Sequence, residues 1–185
     1  MMRTIAGVLL ALLLGACAST PKTPLPTPAQ PVDVERFLGR WYIIANIPYI
    51  GERGDVGSYV EYRPRDDGRI DDLYFYRKGT LDAPLKQMSG VARIVENSGN
   101  AHWQAQFIWP LWFSFHVLYV DEDYRYTLIG HPDRELGWIY ARAPQVDPRT
   151  LDALFERLLA AGYRRDQFVL IPQRPPGDEA SARQP

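Results

Sequence analysis

Runs in which apolar and polar residues alternate occupy most of the chain between residues 41 and 143. In the run from Val56 to Arg63, for example, Val60 and Tyr62 alternate with Glu61 and Arg63. Alternation with a period of two is typical of half-buried β-strands, and glycine, proline and aspartate turns separate these runs. The pattern predicts eight strands, at Trp41–Ile47, Val56–Arg63, Ile70–Arg77, Gln87–Val95, His102–Trp109, Phe113–Val120, Tyr124–Gly130 and Gly137–Ala143.

One later segment has a helical period instead. Apolar residues from Leu151 to Leu159 recur at spacings of three and four, which places them on one face of a helix. Asp147 is placed to cap this helix, Pro148 suits its first position and Gly162 suits its end. We therefore expect a helix packed on the outside of the sheet, followed by a short ninth strand at Gln167–Ile171.

The strand pattern alone leaves two architectures open. Eight antiparallel strands form either a sandwich or a closed barrel. Closure removes the exposed edges, and an eight-stranded barrel is wide enough to hold one small ligand.

The N-terminus, residues 1–16, has the three parts of an export signal. Arg3 is followed by an apolar stretch from Ile5 to Leu14, and two small residues then precede Cys17. That stretch is shorter than the ~20 residues that a membrane-spanning helix needs. Small residues ending in a cysteine resemble the bacterial lipoprotein signal, in which the cysteine is acylated. The alternative is an ordinary signal peptide with an incidental cysteine.

The rest of the chain divides into three parts. Residues 17–31 are rich in proline and threonine, which predicts an extended tether reaching ~40 Å. Residues 32–173 fit one compact domain, and the polar residues 174–185 predict a disordered tail.

Charge and cysteine content narrow the function. The formal net charge is −1, and the basic residues are scattered, which argues against a nucleic-acid surface. Cys17 is the single cysteine of the chain, so its acylation would leave no thiol for a disulfide.

Three short motifs then resemble those of the lipocalin family. They are Gly39-Arg40-Trp41 at the first strand, Asp123-Tyr124 after the sixth and Arg142 at the end of the eighth, and the helix follows in the family's order. Stretches such as Glu52-Arg53-Gly54 look most like bacterial outer-membrane lipocalin lipoproteins and apolipoprotein D.

This resemblance implies an all-β, eight-stranded antiparallel up-and-down barrel with the helix outside. It also implies that Trp41 plugs the closed end and that Arg142 stacks on its ring, with Gly39, Asp123 and Tyr124 as further structural residues. Ala18 is not the aspartate that favours inner-membrane retention in such lipoproteins. The implied location is therefore the periplasmic face of the outer membrane, with Cys17 as the lipid anchor.

If Arg142 faces inward, strand alternation gives the rest of the lining. The expected wall is aromatic and nearly uncharged, and it consists of Ile43, Ala45, Val60, Tyr62, Tyr74, Tyr76, Trp103, Phe107, Phe115, Val117, Trp138 and Tyr140. These rings could instead fill a small barrel and leave no cavity.

In lipocalin topology four loops gather at one end and form the mouth. We expect Tyr49, Trp109 and Trp112 there, and the segment from Trp109 to Phe113 is unusually apolar for an exposed turn. Such a patch marks a ligand entrance, a membrane contact or a subunit interface, unless the loop folds over its own barrel.

The predicted function is binding, storage or transport of a small hydrophobic ligand, a fatty acid or lysophospholipid, in maintenance of the cell envelope. The alternatives are a carrier of another apolar ligand, such as a carotenoid, sterol-like molecule or tetrapyrrole, and an interaction module or homodimer that uses the Trp109–Phe113 loop.

An enzyme is not expected. His102, His116 and His131 lack metal-site spacing, and no nucleophile elbow is present. No cofactor or metal is predicted. The pairs Asp66-Asp67 and Asp71-Asp72 are interpreted as solvated turn residues.

Overall fold

A computed structural model describes residues 24–175 of the chain. Its two α-helices and nine strands run α1 Val34–Phe37, β1 Gly39–Ile47, β2 Asp55–Pro64, β3 Ile70–Lys78, β4 Lys86–Ile94, β5 His102–Ile108, β6 Leu111–Val120, β7 Tyr126–Gly130, β8 Gly137–Ala141, α2 Pro148–Ala160 and β9 Val169–Leu170. A single 3₁₀ turn, Arg165–Gln167, precedes β9. The predicted export signal, Cys17 and most of the tail lie outside the described residues.

The first eight strands close into a barrel. Each pairs antiparallel with the next, and β1 pairs with both β8 and β2. The predicted closed barrel is therefore confirmed, and the sandwich is excluded. The β9 strand lies outside this cylinder, where it pairs antiparallel with β1.

Two apolar cores lie on opposite sides of the barrel wall. The first fills the interior and contains Trp41 and Trp103, both fully buried. The second lies between the outer wall and α2, where Leu154, Phe155 and Leu158 are buried against the sheet. The side chain of Asp147 caps α2 by accepting from two backbone N–H groups of its first turn.

The closed end of the barrel is built around Trp41. Its indole Nε1–H donates to the carbonyl of Phe37 at 2.8 Å, and the Arg142 guanidinium lies 3.7 Å from the centroid of its ring. Arg142 also donates to the carbonyls of Arg40 and Leu38, so this half-buried cation is held by backbone dipoles as well as by the ring. Phe37, from the short helix α1, completes this floor.

A seam in the wall is sealed by the C-terminal segment. Strands β1 and β2 pair only over Gly39–Tyr42 of β1, and they separate beyond Tyr42. Gln173 bridges the gap through its Nε2, which donates to the carbonyls of Ile43 at 2.8 Å and Ser58 at 2.9 Å. Ile171 inserts its buried side chain into the interior core.

The N-terminal segment is only partly free. Within the described part of the predicted tether, Leu25 packs against the core beneath α2. At this residue the chain is therefore docked on the domain and is not a free extended spacer. The backbone N–H of Val32 donates to the carbonyl of Gly99 in the β4–β5 turn, at the closed end. Across residues 24–175, α2 is the longest helix, and none is both long and apolar enough to cross a membrane.

Candidate ligand-binding site

Aromatic rings fill the closed half of the barrel. Phe37 lies 5.3 Å from Trp41 and 5.4 Å from Trp103 between ring centroids, and Tyr62 lies 5.4 Å from Trp103. All four side chains are almost completely buried. This half of the barrel is a packed floor of aromatic rings.

The open half is different. Four inward-facing side chains, Tyr76, Met88, Phe107 and Trp138, pack against the interior core but are only partly buried. Because they face inward, solvent reaches them through the mouth rather than from the outer wall. The barrel is therefore a cup with a filled floor and an accessible upper wall.

Most of the predicted lining faces this interior. The interior core includes Ile43, Val60, Tyr62, Tyr74, Tyr76, Trp103, Phe107, Phe115, Val117, Trp138 and Tyr140. The expectation for Ala45 is wrong. A β-bulge between Ile43 and Ala45 shifts the register, so Ala45 lies opposite Ile139 and packs beneath α2.

The same bulge turns Asn46 inward, where sequence reasoning did not place a polar residue. Asn46 lies opposite Trp138, and both side chains donate to the carboxylate of Glu52, at 3.0 Å from Nδ2 and 3.1 Å from Nε1. Glu52 belongs to the β1–β2 loop yet is 5% exposed, because its side chain turns down into the cup. Burial raises the pKa of Glu52 to about 7.

A second acidic group lies beneath the same loop. Asp55 accepts a hydrogen bond from the hydroxyl of Tyr74 at 2.7 Å and forms an ion pair with Lys78 at 2.5 Å. The Nζ of Lys78 also donates to the carbonyl of Gly51, which ties the β1–β2 loop to the top of β3.

Asp72 is the largest departure from the expected lining. It was interpreted as a solvated turn residue, and that interpretation is wrong, since it lies within β3 and is 4% exposed. It pairs across the sheet with Tyr62, which faces the interior, so both side chains point inward. Burial raises the pKa of Asp72 to about 7. The wall is therefore aromatic but not uncharged.

The mouth carries exposed apolar side chains. Tyr49 is 36% exposed and Trp109 is 83% exposed, and Ile108, Leu111 and Phe113 are each at least half exposed. Trp112 is not part of this opening. It alternates with the inward neighbours Phe113 and Phe115, and its ring lies on the outer wall, where the guanidinium of Arg93 stacks 4.2 Å from its centroid.

The motif residues have distinct local tasks. Gly39 has a φ of +88°, which glycine adopts without strain, and a side chain there would meet Arg142. The hydroxyl of Tyr124 accepts from the backbone N–H of Asp33 at 2.7 Å. Asp123 is exposed and pairs only with Arg125 among the described ion pairs, whereas Asp121 caps the β6–β7 turn through two backbone N–H groups.

A cavity of about 300 Å³ lies outside the barrel, against the outer faces of β1 and β2. Arg40, Arg77, Arg174, Tyr42 and Tyr59 line part of it. This cavity is separate from the cup, because these side chains point away from the interior core.

Comparison with known proteins agrees with this geometry. A family model described as a lipocalin-like domain matches residues 32–173. Outer membrane lipoprotein Blc of Vibrio cholerae is 29% identical over 177 residues, covering 94% of this chain and 100% of that protein. Apolipoprotein D of Mus musculus is 29% identical over 162 residues, covering 82% of each. Insecticyanin from the tobacco hornworm Manduca sexta superposes with a TM-score of 0.64 at 16% identity, over 82% of this chain and 85% of that one.

Proposed function

The chain belongs to the lipocalin family, and we propose that its barrel binds a single-chain lipid, such as a fatty acid or a lysophospholipid, for storage or transport in the cell envelope. The observation that carries this proposal is the continuity between the exposed apolar mouth and the partly exposed aromatic wall below it. An acyl chain laid along that path leaves water, and each methylene buried contributes ~0.8 kcal/mol.

A location at a membrane fits this task. We propose that Cys17 is acylated and holds the protein on the periplasmic face of the outer membrane. The lipoprotein-like signal supports this, as does the similarity to proteins named outer membrane lipoprotein. A carrier held beside a bilayer meets single-chain lipids at high local concentration.

The binding site can be tested with a charge placed in the cup. Phe107 faces the interior, whereas its neighbour Gln106 is on the outward face of the same strand. Phe107→Arg should abolish binding of a fluorescent fatty acid, because the guanidinium would occupy and hydrate the path of the chain. Gln106→Arg, the matched control, should bind as the parent does. Binding that survives Phe107→Arg would contradict the proposed lining.

A second candidate function rests on the mouth alone. Trp109 is 83% exposed and is flanked by the exposed side chains of Ile108 and Leu111, a patch that also suits a second copy of the chain. Native mass spectrometry after gentle extraction separates the two functions. A co-purifying phospholipid-derived mass supports the carrier, whereas an empty dimer supports the interaction module.

A further inference from the structure

Two adjacent aspartates on β3 have opposite surroundings. Asp71 points outward and is paired with Arg65 at 2.6 Å. Asp72 points into the barrel, and among the described residues its Oδ1 has no hydrogen-bond partner. A buried carboxyl oxygen without a donor is costly, so its retention at this position calls for a physical explanation.

The surroundings of Asp72 are rich in neutral hydroxyls. Tyr62 lies opposite Asp72 on β2. Tyr62 and Tyr140 share a side-chain hydrogen bond, and burial raises the pKa of both phenols well above the usual range, so both remain neutral. On the other side Asp72 pairs with Gly90, where a Cβ would lie 2.6 Å from the ring of Phe107. The carboxyl group thus lies between the ring-filled floor and the aromatic upper wall.

The cup lacks a cation for this carboxyl group. Within residues 24–175, the positive side chains closest to the interior are already engaged elsewhere. Arg142 is bonded to backbone carbonyls at the floor, and Lys78 is paired with Asp55 at the rim. Lys86, opposite Tyr76 at the top of β4, is exposed. No three acidic or histidine side chains of the described region come together to hold a metal ion.

We propose that the barrel selects a single-chain amphiphile whose headgroup is a protonated amine, which enters first and binds Asp72. This rests on the proposed function, that the cup takes an aliphatic chain, and adds its headgroup and direction. An ammonium group supplies the missing donors to Oδ1, and the oxygens of the neighbouring Tyr62 and Tyr140 hydroxyls can accept hydrogen bonds from its other N–H groups. Pairing with the carboxylate offsets part of the cost of burying the ammonium, and hydrogen bonds to the two hydroxyls offset more of it.

The depth of Asp72 fits this orientation. It lies four residues below Tyr76 on the same strand, about 13 Å at ~3.3 Å per residue. A chain attached to the ammonium would run upward past Tyr74, Tyr76 and Phe107 and end at the apolar rim around Trp109. A fatty acid in the same orientation would place a second carboxylate beside Asp72, where like charges repel.

Three probes of equal chain length test the headgroup: dodecylamine, dodecanol and dodecanoate, each displacing a neutral fluorescent dye below its micelle concentration. All variants are made in the full chain carrying Cys17→Ser, so that detergent is unnecessary. The parent should bind dodecylamine at least about tenfold more tightly than dodecanol, as expected for a charge-assisted hydrogen bond.

Asp72→Asn should remove this preference. Asp71→Asn, one residue away and on the outer face, should retain it. Asp72→Leu, which has a similar branched shape, a larger volume and no polar atoms, should also lack the preference, and thermal unfolding verifies that each variant is folded.

The outcomes separate this proposal from the function on which it rests. Dodecanoate binding as tightly as dodecylamine, a preference that survives Asp72→Asn, or one that is lost in Asp71→Asn would overturn the amine selectivity but leave a hydrophobic carrier. If none of the three probes binds, the carrier function fails, and the amine selectivity fails with it.

Discussion

At the scale of a single residue, Trp41 stabilises the closed end of the barrel. It is fully buried, it is hydrogen-bonded through its indole N–H and it is stacked under Arg142. Trp41→Ala should lower the free energy of unfolding by ~3–5 kcal/mol, as for other buried large aromatics. Urea unfolding measures this, and Trp109→Ala, at a side chain 83% exposed, should change stability by less than ~0.5 kcal/mol. Unchanged stability in Trp41→Ala would contradict the role as a floor.

The two inward-facing acidic residues, Asp72 and Glu52, make the free energy of unfolding depend on pH. The pKa of Asp72 is raised from 3.8 to about 7 by burial, so stability present below pH 4 is lost as the pH rises to 7. The loss is on the order of 4 kcal/mol, at 1.36 kcal/mol for each pKa unit. Glu52, whose pKa is raised from 4.5 to about 7, acts in the same sense over a similar window.

The histidines act in the opposite sense, so the test compares parent and variant. Burial lowers the pKa values of His102 and His116, which reduces stability as the pH falls below 6.5. Asp72→Asn should therefore be more stable than the parent at pH 8, and this advantage should shrink toward pH 4. Denaturant unfolding at both pH values measures it. An advantage that does not change with pH would refute the raised pKa of Asp72.

At the scale of elements, the spacing of apolar residues along the chain is sufficient to predict the strands and α2. The alternation from Val56 to Arg63 predicts β2 within one residue at either end, because one face of this strand is buried and the other is exposed to solvent. The alternation of residues along β1 gives no sign of the bulge between Ile43 and Ala45, so the sequence places Ala45 on the wrong face. The four-residue helix α1 is too short to show a period of 3.6.

The polar members of the site were missed for a related reason. Alternation along β3 places Asp72 on the same face as Tyr74, but the charge of aspartate argued for a solvated turn. Glu52 lies in a loop, where no period exists to show which side chains turn inward. A buried carboxyl group can be recognised only when its face of the sheet is known, and that depends on the tertiary fold.

The seam between β1 and β2 gives a prediction at this scale. Gln173→Ala removes both hydrogen bonds that its Nε2 makes and leaves the carbonyls of Ile43 and Ser58 without this donor. The expected loss is ~1–3 kcal/mol of unfolding free energy. Amide exchange should also quicken at Gly57, which donates to the carbonyl of Pro172. Gln167→Ala, at an exposed position of the 3₁₀ turn, is the control, and equal effects in both would contradict a sealing role.

At the scale of the whole molecule, the exit of the N-terminal segment and the mouth lie at opposite ends. The segment is bonded at the closed end through Val32, whereas the exposed rim around Trp109 lies at the other end. A nine-residue strand such as β1 spans ~30 Å. Leu25 packs beneath α2, so only residues 17–24 of the predicted tether extend beyond this contact, a reach of ~25 Å at ~3.1 Å per residue. A lipid anchor would therefore hold the side of the barrel near α2 within ~25 Å of the membrane.

Anchor and binding site should then be separable by mutation. Cys17→Ser removes the thiol that we propose is acylated, and each buried acyl methylene contributes ~0.8 kcal/mol to anchoring. The variant should leave the outer-membrane fraction while it keeps its affinity for the ligand, since the cup is built from residues 32–173. Immunoblots of fractionated membranes and dye displacement measure the two properties. Ala18→Asp, which keeps the thiol, should move the protein to the inner membrane. If Cys17→Ser remains in the outer membrane, the apolar mouth rather than the anchor sets the location.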